Sequence, residues 1–256
     1  TQFDLASDSQ QQAGLSLLRF LGLGNWQPPE PLTYIRKASD AFTASRVDAE
    51  YFAPRVEQLL DRLKTDGLTL ADVAPARHEV FNAAAQKTES FEYIEIGGMR
   101  GDGTATSESV RGSEAPSRAN QHVRANDIVT STVRPVRRLS AIITPDQDGY
   151  VCSSGFVVLQ PKHIAPEVLL TYLRLPIICE LMDLHTSASL YPAISERDLL
   201  KLPIPKIDAQ TTTAITRHIR AAHTARHQAR ELLDRAKRAV EIAIEEGEEK
   251  ALKFLK

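Results

Sequence analysis

The chain has 256 residues, of which 42% are hydrophobic and 25% are charged, and its formal net charge is -2. Such a chain can bury a globular core, and its charge excludes a histone-like protein coated in positive charge. The two cysteines, Cys152 and Cys179, have no CxxC spacing, which excludes a disulfide framework and a zinc site and favours a cytoplasmic setting. No apolar run approaches the roughly 20 residues that span a bilayer, so we predict no membrane partner.

Two helices are predicted in the first quarter of the chain. Apolar residues follow helical spacing from Leu5 to Leu23, where two glycines end the pattern. Three prolines follow within seven residues, which fixes an extended backbone and indicates a linker. A second apolar helix face is predicted from Pro54 onward. We therefore assign residues 1–24 to the end of one helix and residues 25–45 to a linker.

The middle of the chain has the pattern of a sheet. Short apolar runs separated by polar, glycine-containing stretches predict strands at 93–96, 127–129, 141–143 and 156–159. The stretch 97–120 is too long and too polar for a simple connector, and we expect it to bind something.

Arginine is concentrated in this region. Seven arginines and no lysine stand against four acidic residues between Arg100 and Arg138. The planar fork of arginine suits bidentate contact with phosphate or with guanine, which favours DNA as a partner. The alternative is a solvated loop surface. The seven are Arg100, Arg111, Arg118, Arg124, Arg134, Arg137 and Arg138.

Helices return after the predicted strands. Pro166 fits the first turn of a helix that is broken near Pro176 and then resumes. Ser195 is placed to cap a short helix, Glu196–Leu200. The following strip, 202–205, contains two prolines and is interpreted as a hinge.

The clearest pattern is a long helix predicted from Ala209 to Glu246, roughly 55 Å in length at the usual rise per residue. Its apolar seam alternates spacings of four and three over four heptads, which is typical of a helix that pairs with another helix. The alternative is an amphipathic helix that packs on its own domain. The seam comprises Ile215, Ile219, Ala222, Arg226, Ala229, Leu233, Ala236, Val240 and Ala243.

Charge along this helix is polarised. Seven basic residues oppose two acidic ones from Thr216 to Arg238, and five glutamates lie between Glu241 and Glu249. An antiparallel partner of similar sequence would place basic against acidic side chains. Arg226 is the one charged residue in the seam, where it either sets the register or extends its charge to solvent.

No motif for catalysis is found. The sequence lacks a Walker loop, a nucleophile elbow, an HExxH helix and a GxGxxG turn. His218, His223 and His227 share one helix, but no cysteine or paired carboxylate completes a metal site, so solvated histidines are the favoured interpretation. We predict no catalytic residue, no metal and no cofactor, and an α+β fold with a mixed domain and long helices.

Several strings, in this order and spacing, resemble the specificity subunits of type I restriction-modification systems. Residues 123–128 resemble the family's "v..GDi" turn, with Asn126 in place of the common glycine. The seam helix resembles the family's spacer helix. The strings that complete the pattern are 46–52, 153–159, 193–195 and 202–205. On this basis residues 46–207 form a target-recognition domain and residues 208–256 a spacer helix.

The resemblance implies a non-catalytic subunit that reads one half of a bipartite site on double-stranded DNA. It also implies partner methyltransferase subunits that modify adenine at N6, restriction/translocase subunits, and a homodimer or second recognition half joined through antiparallel helices. The alternative function is a coiled-coil scaffold whose globular domain binds a protein or peptide. The candidate DNA contacts are Arg100, Arg111, Arg118, Arg134, Arg137, Arg138, Ser153, Ser154 and Tyr191.

Overall fold

A computed structural model describes residues 1–85, 87–187 and 190–255, and it shows an α+β protein. The helices are α1 (Gln2–Phe20), α2 (Ala38–Ala44), α3 (Pro54–Leu63), α4 (Leu70–Val73), α5 (Pro166–Leu173), α6 (Pro176–Asp183), α7 (Glu196–Leu200), α8 (Ala209–Glu246) and α9 (Glu248–Leu255). The strands are β1 (Ser90–Ile94), β2 (Glu108–Arg111), β3 (Ala119–His122), β4 (Ile128–Ser131), β5 (Ser140–Ile142), β6 (Val151–Ser153), β7 (Phe156–Leu159), β8 (Thr186–Ser187) and β9 (Ala193–Ile194).

Two sheets form the centre of the protein. One is antiparallel with the order β5-β4-β7, and the other is mixed with the order β2-β1-β6-β3, where β1 and β6 run parallel. Successive residues of a strand point to opposite faces, so Ile128 and Val157 enter the core shared with the helices, whereas Val129 and Val158 enter the core shared with Ile94 of β1. The layers are therefore helices, a three-stranded sheet and a four-stranded sheet.

Local signals placed most helix ends correctly. Pro166 and Pro176 occupy the first turns of α5 and α6, and the Ser195 side chain caps α7 by accepting from the backbone N–H of Asp198. The bounds of α8 agree with the prediction. The predicted linker, 25–45, contains the short helix α2.

The strip 202–205 is not a hinge. Its residues are buried and hydrogen-bonded to the segment 68–70. The N–H of Leu70 donates to the Leu202 carbonyl at 2.9 Å, and the N–H of Ile204 donates to the Leu68 carbonyl at 3.0 Å. The hydroxyl of Tyr172 also donates to the Pro203 carbonyl at 2.5 Å. The prolines fit here because proline has no N–H to leave unbonded.

Helices α1 and α8 pack antiparallel along each other. Gln2 lines a groove with Leu232, Ala6 clusters with Ala225, and Gly14 lines a small cavity with Ile219, so positions ascend along α1 as they descend along α8. The small residues Ala6, Gly14 and Ala225 let the two helices approach closely. Within the described ranges, no helix is long and apolar enough to cross a membrane.

The seam of α8 is divided in two. Its first half is buried, at Ile215, Ile219, Ala222 and Ala229. The antiparallel partner of that half is α1 of the same chain. In the second half Leu233, Ala236 and Val240 are exposed and Ala243 is half-buried.

A short helix folds back at the end of α8. Gly247 adopts a φ of 95°, a conformation that glycine tolerates, and α9 then returns along α8. Ala239 and Ala251 are buried, and the Arg235 guanidinium donates to the Leu255 carbonyl at 3.2 Å. Leu233 and Val240 remain exposed beside this hairpin.

Candidate nucleic-acid interface

Three chain segments meet at one end of the sheet layers. The backbone N–H of Thr132 donates to the Gly155 carbonyl at 3.0 Å, and the N–H of Ile194 donates to the Thr132 carbonyl at 3.0 Å. The N–H of Arg134 then donates to the Pro192 carbonyl at 2.8 Å. We call this surface the arginine end and define it by the side chains of Arg118, Arg134, Arg137, Arg138, Ser154 and Tyr191.

Arg118 and Ser154 lie side by side in the arginine end. The N–H of Ser154 donates to the Arg118 carbonyl at 2.8 Å, and both residues are exposed. The turn between β6 and β7 is tightly packed at Gly155, since a Cβ there would lie 2.8 Å from the terminal methyl group of Ile96. Packing against Ile96 therefore explains the glycine in the string 153–156, and the turn exposes Ser154 at its tip.

Ser153 does not share this exposure. Its side chain is buried, with the residue only 3% exposed, and its hydroxyl accepts from the N–H of Gly155 at 3.2 Å. Burial raises the pKa of the neighbouring Tyr93, and a hydrogen bond with Ser153 partly opposes that change. The prediction of a DNA contact at Ser153 is contradicted by this burial, because the hydroxyl is already used inside the fold.

Arg134 is half-buried and lies beside the exposed Tyr191 in the arginine end. The guanidinium carbon of Arg134 lies 5.6 Å from the ring centroid of Tyr191, whose residue is 71% exposed. Arg134 and Arg138 both have left-handed backbones, with φ of 50° and 59°, on either side of a 3-10 turn. Such conformations are costly for residues other than glycine and are often found at functional sites.

The arginines of this surface are not neutralised. In the described part of the sheet layers, the arginines that lie within 4.0 Å of a carboxylate are Arg77 and Arg124. Arg118, Arg134, Arg137 and Arg138 have no carboxylate at that distance in the same part of the structure. Arg138 does use its Nε to donate to the Arg174 carbonyl at 2.7 Å, which leaves its terminal nitrogens available.

At the opposite end of β3 from Arg118, which we call the paired end, the guanidinium groups are bound by carboxylates. Arg77 donates to both oxygens of the buried Asp127 at 2.6 and 3.0 Å, and the N–H of Arg124 donates to Asp127 at 2.8 Å. The Arg124 guanidinium binds Glu79 and holds the pKa of that carboxyl below its usual value. Asn126 has a φ of 69°, which explains why glycine or asparagine suits this turn.

Arg111 lies away from the arginine end, and Arg100 belongs to a loop that packs against the helices. Arg111 pairs with Ser90 at the start of β1, whereas Ala119 pairs with Ser153 at the opposite end of the same sheet. Arg100 begins a tight loop in which its N–H donates to the Thr104 carbonyl at 2.9 Å. That loop contacts the helices, so part of the stretch 97–120 serves an internal contact.

A polar joint that the sequence did not predict lies where this loop meets the helices. Arg226 is not a misfit in the seam: its Nε lies 3.3 Å from Asp102 Oδ2, and its Nη2 donates to the Gln10 side chain at 2.6 Å. Arg174, only 5% exposed, donates to the Arg138 carbonyl at 2.7 Å and to the Gly101 carbonyl. Burial lowers the pKa of Arg174 to about 10. No local sequence signal marks Asp102 or Arg174, because their partners are distant in sequence.

The string 46–52 also has a structural basis. Arg46 binds both oxygens of Asp48 at 2.8 Å and donates to the Leu184 carbonyl at 2.6 Å. Its guanidinium carbon lies 4.4 Å from the Tyr51 ring centroid. These contacts tie the segment before α3 to the end of α6, beside a cavity of about 520 Å³ that Trp26 also lines.

Comparison with known proteins identifies the fold. No protein-family model matches the sequence, and no curated protein matches it. A solved chain from work on complex assembly and conformational transition of the type I R-M system is 25% identical, with a TM-score of 0.54 over 69% of this chain and 46% of that chain. The HsdS subunit from Thermoanaerobacter tengcongensis is 24% identical, with a TM-score of 0.52 over the same shares, 69% and 46%.

This chain is similar to the specificity subunits of type I restriction-modification systems. The resemblance predicted from the ordered motifs is thus confirmed, as is the α+β fold class. Specificity subunits are non-catalytic components of their complexes. The match spans less than half the length of either solved chain, in which it covers 46%.

Proposed function

We propose that this protein is a non-catalytic, sequence-specific DNA-binding subunit of a type I restriction-modification complex in the cytoplasm. It reads one half of a bipartite target and directs adenine-N6 methylation and restriction by partner subunits. The observation that carries the proposal is the arginine end. Its four arginines, three exposed and one half-buried, have no carboxylate within 4.0 Å in the described ranges, and they lie beside an exposed tyrosine on a domain with the specificity-subunit fold.

The parts of the arginine end suit different contacts. Arg118 and Arg137 are exposed and supply charge for phosphates, which contributes affinity without sequence information. Arg134 is held by its contacts with Leu190 and Tyr191, which fix the direction of a fork that can bind guanine at two atoms. Ser154 offers a small hydroxyl donor and acceptor at the tip of its turn.

Selection from a random duplex library tests this proposal. The purified chain is expected to enrich one short sequence, and the triple variant Arg118→Ala, Arg134→Ala, Arg137→Ala is expected to enrich none. Arg124→Ala, which removes one arginine from the carboxylate-paired end, serves as the control and should enrich the same sequence as the unmodified chain. Failure of the unmodified chain to enrich any sequence would overturn the proposal.

The proposed partner subunits require a second experiment. Maps of adenine-N6 methylation in host DNA, with and without this protein, should differ at one bipartite sequence. One half of that sequence should match the sequence enriched by the purified chain. Maps that are the same in both strains would contradict the role in methylation.

The second half of the seam supports a further partner, either a second copy of the chain or a second recognition half. Leu233 and Val240 are exposed there, on the part of α8 that α1 does not cover. Burial of such residues against an antiparallel helix would remove their apolar surface from water.

Sedimentation equilibrium tests this pairing. The unmodified chain should associate, and Leu233→Glu with Val240→Glu should sediment as a monomer. Lys237→Glu, at an exposed position of the same helix, is the control. An unmodified chain that sediments as a monomer at all concentrations would contradict the proposed self-association. If pairing occurs but DNA binding does not depend on salt, the coiled-coil scaffold is favoured instead.

A further inference from the structure

The loop between Met99 and Ala105 connects the sheet layers to the helix pair. Asp102 at its tip lies 3.3 Å from the Nε of Arg226 on α8, and its carbonyl accepts from the Gln10 side chain of α1 at 3.2 Å. Arg226 also donates to the Gln10 side-chain oxygen at 2.6 Å. One side chain of each helix and one loop residue therefore form a closed three-way joint.

This joint is shielded from water. The side chains of Arg226 and Asp102 are 11% and 20% exposed. Although burial alone would raise it, the hydrogen bonds of Thr104 and the charges of Arg226 and Arg230 hold the pKa of Asp102 below its usual value. A charged pair in such surroundings is costly unless its geometry is satisfied, so it favours one arrangement of the parts it joins.

The same loop is also linked to the arginine end, through hydrogen bonds of Arg174. Gly103, with a φ of 83°, sits so close to α5 that a Cβ would lie 3.1 Å from the Leu170 side chain. Arg174 donates to the carbonyl of Gly101 and to that of Arg138, while the Nε of Arg138 donates back to the Arg174 carbonyl. A continuous series of polar contacts thus runs from the helix pair to Arg138.

We propose that Asp102 and Arg226 are positioning residues, which fix the orientation of the recognition domain on the α1–α8 pair and thereby the placement of the arginine end. The consequence for DNA rests on the function proposed above, whereas the orientation itself does not. A helix pair can serve as a spacer between two reading domains only if each domain is held at a fixed angle to it.

Distances between two spin labels test the orientation directly. Labels at Ser113→Cys on the sheet layers and Asp234→Cys on α8 occupy exposed positions. The natural Cys152 and Cys179 are buried, with pKa values raised by that burial to about 12 and about 11, so they label slowly. The unmodified joint should give one narrow distance distribution.

Asp102→Asn and Arg226→Met are expected to broaden or shift that distribution, and Arg226→Lys should have a smaller effect because its charge remains. Arg230→Met is the matched control, since Arg230 also approaches Asp102, at 3.8 Å, but is half exposed. Thermal unfolding of each variant verifies that it is folded. A distribution that stays unchanged in both Asp102→Asn and Arg226→Met would overturn the proposal.

Measuring the affinity for DNA distinguishes a positioning role of the joint from a role in stability alone. Arg226→Met should weaken binding to the selected sequence about tenfold, the size expected for coupling between sites, and should change binding to an unrelated duplex less than about twofold. An equal loss on both duplexes would contradict a positioning role. If the unmodified chain binds no sequence selectively, the proposed function fails, and the spin-label distances alone decide the role of the joint.

Discussion

The arginine end and the paired end, which lie at opposite ends of β3, use the same residue type in opposite ways. At one end Arg77 and Arg124 are held by the carboxylates of Asp127, Glu79 and Asp148, and the group stabilises a turn. At the arginine end, Arg118 and Arg137 are exposed and have no carboxylate within 4.0 Å in the described part of the chain. A charge count along the sequence cannot separate these two uses. What separates them is whether the fold supplies an acidic partner.

The largest effect is expected at the paired end. Asp127→Ala should lower the free energy of unfolding by about 3 kcal/mol, because it removes a buried carboxylate that binds Arg77 and the backbone of Arg124. Urea denaturation measures this change. Asp148→Ala, which removes an exposed partner 3.6 Å from Arg124, should cost less than about 1 kcal/mol. Equal losses in the two variants would mean that burial does not distinguish these carboxylates.

The next effect concerns base reading at the arginine end. Arg134→Ala should weaken binding to the selected duplex by about 1 to 3 kcal/mol and relax the preference at one base pair. Fluorescence anisotropy with single-base substitutions in the duplex measures both. Arg111 is also a candidate DNA contact from the sequence, but it lies at the far end of the four-stranded sheet. We therefore expect a smaller loss of binding free energy for Arg111→Ala than for Arg134→Ala. A larger loss would indicate that the DNA-reading surface lies at the end of the sheet that contains Arg111.

A smaller effect is expected from the pH dependence of the joint. The pKa of Asp102 is lower in the folded protein than its ordinary value of 3.8, so its ionised form contributes stability at higher pH. That contribution should be lost as the pH falls below about 4 and through the folded pKa. The unfolding free energies of the unmodified chain and Asp102→Asn should therefore converge in acid. A difference that stays constant between pH 6 and pH 3 would contradict this assignment.

The sequence predicted those features that depend on neighbouring residues. The bounds of α8, the prolines that begin α5 and α6, and the Ser195 cap follow from local chemistry. The features it missed depend on contacts between distant residues.

The burial of Ser153, for example, results from sheet pairing, and the charge of Arg226 is balanced by Asp102, which lies 124 positions earlier. The partner of the first half of the seam was likewise not identified, because heptad spacing predicts that a helix pairs but does not identify the other helix.

The salt dependence of DNA binding tests the central claim most directly. The logarithm of the association constant should fall linearly with the logarithm of salt concentration, and each phosphate contact should contribute about 0.9 to the slope. Arg118→Ala with Arg137→Ala should reduce the slope by about 2, whereas Arg124→Ala should leave it unchanged. A slope that is the same in all three proteins would show that the arginine end does not contact DNA.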